Sequence, residues 1–245
     1  MKEFELPASI ELAWGLRDRP TKGPKRGLSL DRIVAAGVRV AATDGLGAVS
    51  MGRVAAEVGA ATMTLYRYVA AKDDLVDLMV DAALGRPPEP PHDEDGWRAG
   101  LRRWAEGVRA AYQRHPWALR VPITAPPLGP NNIRWLKNAL TCLRHTPMQE
   151  QEKLSTVLLV SGFVRNETTL TADLTARLPE GAQAPQNYGM ILARLADPQT
   201  FPSVHAAISA GALNDEDGVD TEFEFGLGRI LDGIDALIRS RLAPP

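Results

Sequence analysis

Apolar residues return at the spacing of one helical face from Leu30 to Ala42. They are Leu30, Ile33, Val34, Gly37, Val38 and Ala41. Ser29 stands at the N-cap position of this predicted helix, and Gly45-Leu46-Gly47 ends it. Ser50 caps a second, shorter helix predicted over Met51 to Val58, with Val54, Ala55 and Val58 inward. Gly59 breaks that helix. A third is predicted over Thr62 to Tyr68. A fourth starts near Lys72, with Asp73 and Asp74 in its first turn, where the helix dipole favours anions. Leu75, Leu78, Met79 and Ala82 form its predicted buried stripe.

The same period continues downstream. A helix over Trp97 to Arg114 carries Leu101, Trp104, Ala105, Val108 and Tyr112 on one side. A helix over Asn131 to Arg144 carries Ile133, Leu136, Leu140 and Leu143. Gln149 to about Leu174 is long and apolar in its middle. The last helix opens on a capping box, Thr221-x-x-Glu224, followed by Leu227, Ile230, Leu231, Ile234, Leu237 and Ile238. Proline- and glycine-rich stretches at 20–27, 85–96, 122–130 and 179–186 read as loops. No strand alternation and no repeat interrupts the pattern. The chain is therefore expected to be all-α.

Composition narrows the class. The chain has 245 residues, 44% hydrophobic and 24% charged, enough to bury a core and unlike a disordered chain. No apolar run reaches the roughly 18 residues of a membrane helix. The opening MKEFELPASIELAWG lacks the apolar core of a secretory signal. Cys142 stands alone, which excludes an internal disulfide and points to a reducing cytoplasm. His92, His115, His145 and His205 have no ligand spacing, and Asp215 to Asp220 falls short of a calcium loop, so neither metal nor cofactor is expected. No P-loop, dinucleotide motif or nucleophile elbow suggests an enzyme. Charge, however, is lopsided. Residues 17–72 hold ten Lys/Arg against four acids, a surplus of six on a chain of net −2. A basic amino-terminal part on an acidic body suggests that one end meets a polyanion.

Residues 50–68, SMGRVAAEVGAATMTLYRY, carry the chemistry. Two short helices around a glycine turn form a helix-turn-helix. Ala55 is small where the helices cross, and Gly59 suits a positive φ. With Val54, Val58 and Leu65 turned inward, Thr62, Met63, Thr64, Tyr66 and Tyr68 are expected to point outward. A recognition helix brings its amino-terminal residues to base edges in the major groove. Threonine hydroxyls and methyls touch bases, and Met63 fits a thymine methyl. Tyr66, Tyr68 and Lys72 suit phosphate oxygens.

Residues 29–84 resemble the DNA-binding domain of the TetR family of bacterial transcription regulators. Ile33, Ala36, Gly45, Ser50, Val54, Ala55, Val58, Gly59, Leu65, Tyr66, Val69, Lys72 and Leu75 carry the resemblance. Gly162 to Glu167 and Phe225 to Ile234 resemble the tetracycline-repressor-like carboxy-terminal class. The resemblance implies a helix-turn-helix head over 29–84 and a larger helical ligand-binding and dimerisation domain over 97–245, after a basic extension over 1–28. It places Thr62, Met63 and Thr64 at base-reading positions, and Ser50, Arg53, Tyr66, Tyr68 and Lys72 at or near phosphate-contacting ones. Thr62 stands where the tetracycline repressors carry a base-reading amide, and Tyr68 where they carry histidine, so a different operator is expected. Lys25 and Arg26, with Arg17, Arg19 and Lys22, form an arm that either reaches DNA or stays solvated.

For the body, the resemblance implies a homodimer through helices near 149–174 and 221–241, reading a palindromic double-stranded operator. Leu154, Val157, Leu158, Ser161 and Val164 offer an apolar face, with Gly162 allowing close approach. Candidate walls for a small apolar or amphipathic effector are Trp104, Val108, Tyr112, Trp117, Trp135, Leu136, Leu140, Phe163, Asn166 and Leu170. Each of these also suits plain core. The expected function is a repressor released from its operator by that effector. Control by a protein partner, or by no ligand, is the alternative.

Overall fold

Two serines frame the amino-terminal head. In the computed structural model, which describes residues 6–16, 28–89, 96–124, 126–176, 188–212 and 219–242, Ser29 Oγ accepts the Arg32 amide at 3.2 Å and Ser50 Oγ the Arg53 amide at 3.1 Å. They cap α2 (Leu30–Asp44) and α3 (Met51–Glu57). Gly59 turns the chain at φ +65° into α4 (Thr62–Leu65), and α5 (Lys72–Leu84) completes the head. Ile33, Ala36, Val54, Leu65, Leu75 and Met79 are wholly buried between them. Gly37 lets α2 and α5 cross closely, because a Cβ there would strike the Met79 sulfur.

The body is built from α6 (Gly96–Arg114), α7 (Pro130–Leu143), α8 (Glu150–Thr175) and α11 (Val219–Leu242). Its core joins Leu101, Trp104, Ala105, Trp135, Leu143, Val160, Val164, Phe223, Leu227 and Leu231. Phe163 stacks on Phe223 with centroids 5.7 Å apart and lies where a side chain on Gly226 would stand. No strand occurs among the described residues. The protein is all-α, with a helix-turn-helix head and a larger helical body.

Several elements differ from the sequence reading. The third helix has one turn, Thr62–Leu65, and continues as a turn through Tyr68. Ala82 is exposed on α5, while Asp81, Ala83 and Leu84 are buried, because α7 covers a different flank of that helix. Ile133 is exposed for the same reason, and Trp135, Asn138 and Cys142 face inward instead. The last helix already runs from Val219, so Thr221 lies inside it rather than at its cap. The segment before the head forms α1 (Ala8–Ala13), which packs on the head with Ser9 buried and Ile10 and Ala13 against its core. Two further short helices, α9 (Tyr188–Leu195) and α10 (Pro202–Ser209), pair with each other.

Candidate nucleic-acid interface and effector site

The outer face of α4 is built by what lies under it. Leu65 has no exposed surface, whereas Met63 on one side of it is 75% exposed and Tyr66 on the other 44%. Thr62 and Thr64 are half-buried beside them, and Lys72 is exposed at the start of α5. Thr62, Met63, Thr64 and Tyr66 thus share one small surface. Ser50 is exposed but uses its oxygen as a helix cap.

Two of the phosphate candidates are already engaged. Arg53 pairs with Asp44 at 3.1 Å and Glu57 at 3.2 Å, and Arg39 reaches the same Glu57 at 3.3 Å. The hydrogen bonds it donates to Asp44, and next to Glu57, hold the Arg53 guanidinium above its ordinary pKa. Tyr68 does not project outward as expected. It is half-buried against the head core, and its hydroxyl donates to the Leu28 carbonyl at 3.2 Å. The one-turn helix explains the difference: past Leu65 the chain bends and carries Tyr68 back toward the head. Tyr68→Phe should therefore lower stability by about 1 kcal/mol, read as a lower thermal midpoint. Unchanged stability with weaker DNA binding would restore the outward role. Lys25 and Arg26 lie outside the described residues.

The expected effector walls do not form one chamber. Trp104 and Trp135 meet edge to face at 6.1 Å, and the Trp104 indole donates to the Trp135 carbonyl at 2.8 Å. With Val108 they are buried in body core, and Leu136, Leu140 and Phe163 pack against it. Trp117 instead joins the head core. Asn166 is exposed and Leu170 is 57% exposed. Helical spacing identified these residues as apolar or interrupted positions but could not tell which neighbour each face meets.

A cleft of about 170 Å³ opens elsewhere, between α6, the turn Pro116–Arg120 and α8. Of the expected walls it keeps Tyr112, and it adds Arg109, Pro116, Leu119, Thr168 and Thr171. Arg109 lies 3.4 Å from Glu167, 2.7 Å from Asp220 and 4.2 Å above the Phe223 ring. Arg165 holds the turn in place by donating to the Leu119 carbonyl at 3.0 Å and the Val121 carbonyl at 2.7 Å. Sequence reasoning missed these two arginines, since nothing in spacing separates a buried arginine from a solvated one. Thr168, Thr171 and Thr175 do recur on one helical face, a signal that was available.

Residues 33–79 match the family described as "Bacterial regulatory proteins, tetR family", and residues 89–238 match "Tetracyclin repressor-like, C-terminal domain". The chain belongs to the TetR family. It is a DNA-binding transcription regulator, in a family of regulators rather than enzymes. It is 37% identical to the HTH-type transcriptional repressor DrrR1 of Streptomyces coeruleorubidus, over 97% of this chain and 88% of that protein. Apo ActR of Streptomyces coelicolor superposes with a TM-score of 0.75 at 25% identity, covering 88% of this chain and 99% of ActR. ActR in complex with actinorhodin gives 0.74 at 26%, covering 87% and 99%. TetR-family proteins bind DNA operators, dimerise and bind small-molecule ligands. No described helix is long and apolar enough to cross a membrane.

Proposed function

We propose that this TetR-family protein is a cytoplasmic repressor. It binds a palindromic operator as a homodimer and leaves it when a small amphipathic molecule enters the body. The observation that carries the DNA reading is the α4 surface, where a methionine and a tyrosine stand exposed around a fully buried leucine. Thr62, Met63 and Thr64 read bases, and Tyr66 and Lys72 hold phosphates. Arg53 joins them on DNA, because water screens its exposed pairs and a phosphate can replace the carboxylates. The dimer uses α8 and α11, where Leu158, Leu159, Gly162, Phe163 and Ile230 line a shallow apolar hollow.

The effector enters the Arg109–Tyr112–Leu119 cleft rather than the filled aromatic core. Thr168 Oγ1 donates to the Val164 carbonyl at 2.6 Å and Thr171 Oγ1 to Glu167 at 2.9 Å, so their lone pairs remain to accept. A ligand with hydroxyl or N–H donors on an apolar frame suits this wall. The cleft is smaller than the roughly 300–1,000 Å³ of drug-sized sites, so the ligand is small or widens it. The actinorhodin complex of ActR and the repressor role named for DrrR1 support a ligand-released repressor.

Selection of bound sequences from random duplex DNA tests the reading. A palindromic consensus is expected, and no enrichment at low salt with folded protein would sink it. On that consensus, Tyr66→Phe should weaken binding about fivefold on every sequence, the loss of one phosphate hydrogen bond. Thr64→Ala should change which base is preferred. Equal weakening on all sequences by Thr64→Ala would remove its reading role.

A further inference from the structure

Helix α7 has no cap of its own. Its N-cap residue is Gly129, which has no side chain, and Pro130 at the first position has no amide hydrogen. The next two amides are taken by a residue fifty positions upstream. Asp81 of α5 accepts the Asn131 amide at 3.2 Å and the Asn132 amide at 2.8 Å. It also accepts the Asn132 side-chain amide at 2.7 Å, while the Asn131 side chain donates to the Asp81 carbonyl at 3.0 Å. Asp81 is 5% exposed, and these donors at the amino-terminal pole of α7 are its partners. A Cβ on Gly129 would overlap the carboxylate, which is why the cap position of α7 is bare.

The same face of α7 continues the contact. Trp135 donates its indole N–H to the Gly85 carbonyl at 3.1 Å, and Asn138 its amide to the Pro88 carbonyl at 2.7 Å. Positions 132, 135 and 138 thus bond to positions 81, 85 and 88, turn by turn. Trp14 closes the joint from a third side, donating to the Leu128 carbonyl at 2.8 Å. A loosened joint would strand a buried carboxylate, a costly state that favours two discrete arrangements over a gradual slide.

We propose that this polar zipper, closed by Asp81, is the latch through which the body sets the position of the head. The proposal rests on the ligand-released reading above. Helix α5 carries α4 at one end and Asp81 at the other. Any movement of α7 therefore reaches the DNA surface through a cap that the two domains share.

A swap separates a latch from a mere structural cap. Asp81→Gly should speed hydrogen exchange of amides 131–134 by about tenfold or more. Adding Gly129→Ser supplies a cap from α7 itself and should restore slow exchange, with the link to α5 cut. Selected operator DNA should then alter exchange at 131–134 in the wild type and leave it unchanged in the double variant. A wild type whose α7 does not respond to operator, or a double variant that responds like the wild type, would overturn the latch. The reciprocal effect needs no DNA: Asn132→Ala should speed exchange across the last turn of α5, and an unchanged rate there also overturns it. Failure of the wild type to select any DNA strikes the repressor reading, while an unchanged α5 rate in Asn132→Ala overturns the latch by itself.

Discussion

A Leu158→Arg protein should run as a monomer and bind its operator at least about 100-fold more weakly than the wild type. Leu158 is 74% exposed in the single chain, Leu159 55%, Leu154 44% and Phe225 64%. Leu154, Leu158 and Gly162 follow one another at four-residue steps, away from Val157, Val160 and Val164, which fill the body core. A Cβ on Gly162 would meet nothing within 4 Å, so a partner helix can approach there. Burying one such leucine contributes about 1.5–3 kcal/mol. In a two-fold interface each substitution counts twice, and each arginine places a charge in an apolar contact. Loss of the pair leaves one recognition helix on one half-site. Sedimentation should give the mass, and anisotropy on the selected operator the affinity. Ile123→Arg, at an exposed loop position, is the control and should change neither. A Leu158→Arg protein that stays dimeric would remove α8 from the interface.

Period alone made most of the head legible. Ser29, Ser50 and Gly59 each act through one local bond or one dihedral angle, so the sequence next to them suffices to read them. The outward placing of Tyr68 failed because its partner, Leu28, comes from a segment that the fold brings back, and the pairing of Arg53 with Asp44 was hidden for the same reason. In the body, helix positions were readable to within a turn, but the role of each face was not. Trp117 looks like a pocket wall in sequence and is head core in space. Asp81 looks like one more acid on an amphipathic helix, and its meaning depends on a glycine and two asparagines near position 130. A pattern of apolar residues reports that a face is covered, and it does not report by what.

Arg109→Met should cost about 3–5 kcal/mol of stability and lower the melting midpoint by roughly 10 °C. The side chains of Arg109 and Glu167 are only 10% and 12% exposed, and the pair ties α6 to α8 with Arg109 over the Phe223 ring. Removing the guanidinium leaves a buried carboxylate without its cation, beside the Thr171 hydroxyl and the Phe223 ring that Arg109 covered. Asp220, the other partner, is 82% exposed and loses little, because water replaces the arginine there. Replacing both members, Arg109→Met with Glu167→Met, should recover most of the loss, since no charge is then stranded. A single variant as stable as the wild type, or a double variant no better than the single, would disprove the account. The head supplies the contrast within the same protein. Arg53 also pairs with two carboxylates, yet its side chain is 44% exposed, and Arg53→Met should leave the melting midpoint nearly unchanged, because water screens exposed pairs. Burial, not the number of partners, separates the two arginines. One is fixed in the frame of the body, and the other sits at the surface of the head, where the proposed phosphate contact needs it.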